Sequence, residues 1–271
     1  RDIGVTGVQT CALPIYSDMK KIFYLAGFLV FMLTGCLETT QEVTINNDGT
    51  GSLTSTNDMS ALMGLLKNMG GDNEAIEKLS GQKMDSSISM SSIIDSIAGL
   101  SESDKNLLKK GTMQIQIDAD AEKFMTKMNF SFNKVSEIMQ LNALSDNVLG
   151  KRVKDLVAKG AEEMGGDDKI PETSTITSYL DVSFEDGDIK GKVNKEKIAS
   201  LNSDEFLKGL KELAGMGMNV SHTYVINLPR PATSVEGKNV LLSEDKKKAT
   251  VKVELTTLYE SPDDVSFKIK Y

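Results

Sequence analysis

The chain reads as α+β, with antiparallel strand pairs alternating with helices in a two-layer sandwich. Three observations carry this. Short runs alternate apolar and polar residues at the period of a half-buried strand, as Met113, Ile115 and Ile117 do with Gln114 and Gln116. Two such pairs flank an Asp-Gly dipeptide, a hairpin signal, at Asp48-Gly49 and Asp186-Gly187. Between the pairs, apolar residues recur at three- and four-residue steps, as Phe206, Leu207, Leu210 and Leu213 do, which is one stripe of an amphipathic helix.

The elements follow in order. Val43 and Ile45 alternate within 41–47, and 51–57 continues the pattern as a partner strand. Asn47-Asp48-Gly49-Thr50 between them predicts a two-residue type I′ turn, with Gly49 at φ > 0. Asp58 then caps a helix whose stripe is Met59, Leu62, Met63, Leu66 and Met69, and Gly70-Gly71 stops it. Short helices at 75–79, 92–98 and 103–109 are expected in the Ser- and Met-rich stretch that follows. A second strand pair places Met113, Ile115 and Ile117 beside Met128, Phe130 and Phe132. Helices are expected at 135–149 and 151–164. Gly165-Gly166-Asp167-Asp168, with Pro171 beyond, makes 165–172 the linker candidate between an α+β part (36–164) and a β-rich part (173–271). The third block has strands at 176–184 and 189–193 and a helix at 204–214. A strand at 222–228 then ends at Pro229-Arg230-Pro231, which cannot continue a ladder. Val235, 239–243, 250–255 and 265–271 supply the closing strands. Strand-strand-helix thus recurs about three times, as a repeat or as ordinary α+β grammar.

The most informative residue for function is Cys36. It closes Leu33-Thr34-Gly35-Cys36, after an uncharged and mostly apolar run of 12 residues, Ile22 to Leu33, which follows Met19-Lys20-Lys21. Twelve residues fit the h-region of an export signal and fall short of the ~20 that span a bilayer. Basic start, apolar run and small residues before a cysteine resemble a bacterial lipoprotein signal with its lipobox. The resemblance implies cleavage before Cys36 and acylation of its thiol and new amino terminus, making Cys36 the lipid-attachment residue and the membrane a partner. Leu37, where some inner-membrane lipoproteins carry Asp, points to the outer membrane, facing the periplasm or the surface. Residues 19–35 are then the signal. Residues 1–18 are expected to be an artefactual extension, since 5–15 looks like an adapter oligonucleotide translated in frame.

Composition narrows the rest. The two cysteines are Cys11 and Cys36, so a chain starting at Cys36 has no thiol for a disulfide, a metal or a nucleophile. Arg1, Lys20, Lys21, Asp2 and Asp18 precede Cys36. Of 31 basic and 39 acidic residues this leaves 28 and 37, a net charge of −9. Such a surface repels nucleic acid and anionic headgroups, so attachment must come from lipid.

The tail carries a second resemblance. Tyr224-Val225-Ile226-Asn227-Leu228-Pro229, then Ala232-Thr233-Ser234-Val235-Glu236-Gly237, then a charged turn and Lys252-Val253-Glu254-Leu255, resembles the end of LppM-like bacterial lipoprotein domains. Phe130-Ser131-Phe132 before a helix fits the middle of that pattern. Val251 and Val253 stand where that family often has an aromatic. The resemblance implies a two-layer α/β sandwich of unsettled activity, for which binding of lipid or an envelope component is the usual suggestion.

Each candidate for chemistry has a plainer reading. His222 is the single histidine, and Ser221 beside it would lie on the opposite face of a strand, so no acid–base pair forms. Zinc of the usual ligand sets is excluded on the same count. Asp118, Asp120 and Glu122 lack the glycine and distal glutamate of an EF-hand and read as a solvated turn. Asp48 and Asp186-Gly187-Asp188 read as hairpins, and Glu162, Glu163, Asp167 and Asp168 as a solubilising loop. Twelve of 14 methionines follow Cys36. Met59, Met63, Met139 and Met216 are expected as core, with an adaptable apolar groove as the alternative and copper(I) set aside. The expectation is a non-enzymatic envelope lipoprotein, a binding or scaffolding module without cofactor, nucleic-acid partner, catalytic residue or metal site. The alternatives are a lipid- or apolar-ligand binder with a Met-rich groove and a carboxylate-dependent hydrolase of the envelope. Aromatics at 6% and no tryptophan weigh against a glycan site.

Overall fold

A computed structural model describes residues 36–61, 64, 83–97, 99–145 and 175–271, all within one compact unit, Gly35–Tyr271. The strands are β1 (Cys36–Ile45), β2 (Gly51–Asp58), β3 (Lys83–Ser89), β4 (Thr112–Asp118), β5 (Lys123–Phe132), β6 (Leu180–Glu185), β7 (Asp188–Val193), β8 (Asn219–Asn227), β9 (Ser234–Glu236), β10 (Val240–Leu242), β11 (Lys248–Glu254) and β12 (Phe267–Lys270). The described helices are α1 (Glu102–Leu108), α2 (Glu137–Leu144), α3 (Lys195–Ile198), α4 (Glu205–Gly215) and α5 (Leu255–Glu260). An eight-stranded sheet runs β10-β11-β8-β1-β2-β5-β4-β3, and a four-stranded sheet runs β6-β7-β12-β9. The fold is α+β with two antiparallel-rich sheets sharing one core.

Alternation decides which face is buried. Val43 and Ile45 of β1, Leu53 of β2, Phe130 and Phe132 of β5 and Tyr224 and Ile226 of β8 sit at paired register positions on one face. All are at most 4% exposed. Phe267 of β12 meets Tyr224 with ring centroids 5.9 Å apart, which joins the small sheet to the large one. Ile138 and Leu141 of α2 and Leu107 and Leu108 of α1 add to the same core. The opposite face of the large sheet is a ladder of polar pairs. Asn129 Nδ2 donates to Thr54 Oγ1 (2.7 Å), and Asn227 Nδ2 donates to Glu42 Oε1 (2.9 Å).

Local chemistry sets the ends. Asp204 is the N-cap of α4: its Oδ1 accepts from Leu207 N (3.0 Å), and its Oδ2 accepts from Tyr179 Oη (2.8 Å). Burial, and then the Asp204 hydrogen bond, push the Tyr179 phenol up to about 12. Ser101 caps α1, its hydroxyl accepting from Asp104 N (3.1 Å).

Several expectations change. The first hairpin has three loop residues. Gly49 N donates to Asn46 O (3.0 Å) and Asn46 N to Thr50 O (2.8 Å). Gly49 has φ 79° and Asp48 a negative φ, so this is a type I turn closed by a left-handed glycine, not type I′. β1 begins at Cys36 instead of residue 41, because its first residues pair in parallel with β8, a pairing that strand alternation alone does not announce. The stretch expected to hold only short helices contains β3, a Ser-rich edge strand templated by β4, and two single 3-10 turns replace the helix at 92–98. Residues 255–260 form α5, because Leu255 and Leu258 bury fully at an i,i+3 spacing. Leu62, Met63, Leu66 and Met69, the helices at 75–79 and 151–164, and the 165–172 linker candidate lie outside the described residues. The parts on either side of 165–172 share the large sheet, since β1 pairs with β8.

Candidate functional site

Cys36 is the first residue of β1, in the middle of the large sheet, and its backbone pairs with Asn219 at the start of β8. Three residue positions on, Thr39 opens the inner face: its Oγ1 donates to Asn57 Oδ1 (3.0 Å) on β2. Glu38, on the outer face, accepts from Thr223 Oγ1 (2.8 Å) on β8. Gln41 Nε2 donates to Asn142 Oδ1 (2.6 Å) on α2. Hydrogen bonds therefore fix the start of β1 on both faces.

The strand register shows what else ends there. Glu38 pairs with Asp58, Asp58 with Met125, Lys123 with Asp118, and Asp118 with Lys83. At ~3.3 Å per residue, these strand ends fall within about 7 Å of the Cys36 level along the strand direction. The rim consists of the Met216-Gly217-Met218 loop before β8, the Asp58-Met59 end of β2, the β4–β5 turn and the start of β3. Gly217, at φ 99°, turns the chain from α4 into β8. Met216, just outside it, is 74% exposed. Met84 is also exposed, at 42%.

His222 lies on the inner face of β8, opposite Thr39 and Val253, with its ring 4.4 Å from that of Tyr224. It is buried, and its Nε2 has no hydrogen-bond partner. Burial pushes its pKa down to about 3, so the ring is neutral at pH 7. Ser221 pairs with Glu38 and so lies on the other face. The two side chains form no nucleophile–base pair.

The acidic motifs are turns. Asp118 accepts from Ala121 N (3.1 Å) and pairs with Lys83 (3.0 Å), and these contacts hold its carboxyl below the usual range. Asp48 accepts from Thr50 Oγ1 (2.7 Å) and Thr50 N (3.0 Å). Asp188 pairs with Lys190, and Asp186 with Arg230 (3.5 Å). Glu162, Glu163, Asp167 and Asp168 lie outside the described residues. No group of three metal-ligating side chains occurs among the described residues.

The methionines expected as core are not: Met59 is half-buried, Met139 is 39% exposed on the outer side of α2, and Met216 is exposed just past the end of α4, while the buried methionines are Met90 and Met113. Met63 lies outside the described residues. The feature missed in the sequence is the nearness of the Met216 loop to Cys36. The sequence ends a helix at 214, but only the parallel β1–β8 pairing places the residues after it beside residue 36.

No protein-family model matches the chain, and no curated protein does. Among solved structures, the NMR structure of the folded domain of the Mycobacterium tuberculosis LppM protein shows a weak similarity. It is 13% identical, with a TM-score of 0.38, over 88% of this chain and 92% of that one. The fold class rests on the two sheets themselves. Among the described residues, no helix is long and apolar enough to cross a membrane.

Proposed function

We propose that the chain is a non-enzymatic binding or scaffolding module of the cell envelope, held on a membrane by acyl chains on Cys36. The observation that carries this reading is the order Lys20-Lys21, a 12-residue apolar run, then Leu33-Thr34-Gly35-Cys36. An acidic surface gives no electrostatic attraction to anionic lipid, so lipid must supply the attachment. Two or more chains exceed what reversible single-chain binding offers. Leu37 after the cysteine favours the outer membrane.

The test is Cys36→Ser in the native cell. The parent protein is expected in the membrane pellet and to incorporate radiolabelled palmitate. The variant is expected unlabelled and in the soluble fraction. Retention of the variant in the pellet overturns the anchor.

A further inference from the structure

We infer that the rim of the large sheet at the Cys36 end lies against the lipid surface, with the Met216 loop entering the interface. This rests on the acylation of Cys36 proposed above and goes beyond it. A lipoprotein held by a long tether can face any direction. Here Cys36 is itself hydrogen-bonded sheet, the first residue of β1 and paired with Asn219. No tether separates the anchor from the fold, so acyl chains at residue 36 bring the strand ends at its level down to the headgroups.

One exposed methionine is ordinary on any surface. Met216 differs by position: it is 74% exposed, three residues from the partner of Cys36, on a loop turned outward at Gly217. A flexible thioether suits a disordered acyl boundary. The rim's charges choose the headgroup. Asp58, Asp118, Asp120 and Glu122 outnumber Lys83 and Lys123 at this end, and a net-acidic rim is repelled by anionic lipid, so the surface it fits is zwitterionic. The Asp48-Gly49 hairpin, at the far end of the ten-residue β1, would stand about 30 Å from the membrane.

The chain's cysteine count makes the test clean, since acylation at Cys36 would leave no free thiol after it. The lipidated full-length protein, carrying Met216→Cys or Asp48→Cys, is labelled with a fluorophore and reconstituted into phosphatidylcholine vesicles containing brominated lipid. The result expected is loss of fluorescence at 216 and none at 48, with less loss at 216 when phosphatidylglycerol is added at low salt. Equal quenching at the two positions overturns the orientation while leaving the anchor intact. Labelling of the parent protein at Cys36 itself overturns the anchor, and the orientation with it.

Discussion

Replacing His222 with leucine isolates a buried titratable base. Its neighbours on the inner face, Thr39, Val253 and Tyr224, are uncharged near neutrality, so none of the three offers an imidazolium a counter-charge. The ring titrates near 6.5 in the unfolded chain and at about 3 in the fold. Between these values the unfolded state holds one more proton than the folded state, so stability falls as pH drops. The loss begins near pH 6.5 and is complete below the folded value. From pH 7 to pH 5 a single such group removes about 2 kcal/mol, at 1.36 kcal/mol per pH unit. Carboxylates held below their usual range, such as Asp104 and Asp118, add their losses only nearer pH 4 and below. With a single histidine in the chain, no second imidazole blurs the window. His222→Leu also discards a buried Nε2 that has no partner, so at pH 7 it is expected to be neutral or mildly stabilising. Urea midpoints of parent and variant at pH 7 and pH 5 decide. The parent should lose about 2 kcal/mol between the two and the variant almost none. Equal losses in both proteins would refute the reasoning.

Two further outcomes follow from local geometry. Gly49→Val places a β-branched residue at φ 79° with open space around the new Cβ, so its cost of about 1–2 kcal/mol in thermal or urea unfolding is conformational alone. Calcium should shift neither its melting temperature nor the parent's, because Asp48 is occupied by Thr50; a rise of several degrees in the parent, lost in Asp48→Asn, would show a binding loop. Asp204→Ala removes the α4 cap and the acceptor of Tyr179 together and should cost about 1–3 kcal/mol, while Asp204→Asn, which keeps the cap, should cost less.

Reading the chain from sequence succeeded where the physics is local. The Met113–Ile117 and Met128–Phe132 alternation, the helix read at 204–214 and the left-handed Gly49 each depend on a few neighbouring residues, and each is present. Misreadings arose where partners are distant. β3 has weak strand chemistry of its own and exists because β4 offers it a ladder. Met139 and Met216 carry helix-like apolar spacing yet face outward, because the core is filled by Ile138, Leu141 and Leu207 instead. His222 could be named from sequence, but its burial and lack of a partner could not.

The sequence by itself determined the α+β class, the turn positions and the Cys36 motif, all written in spacings of two to a dozen residues. Tertiary structure alone decided that β1 lies between β2 and β8, that β8 runs parallel to it, and that the Met216 loop therefore ends beside residue 36. The physical reason is range: a parallel pair joins Cys36 to Asn219 across most of the chain. Which strand fills that slot is settled by how two apolar faces close on one core, and no local period records it.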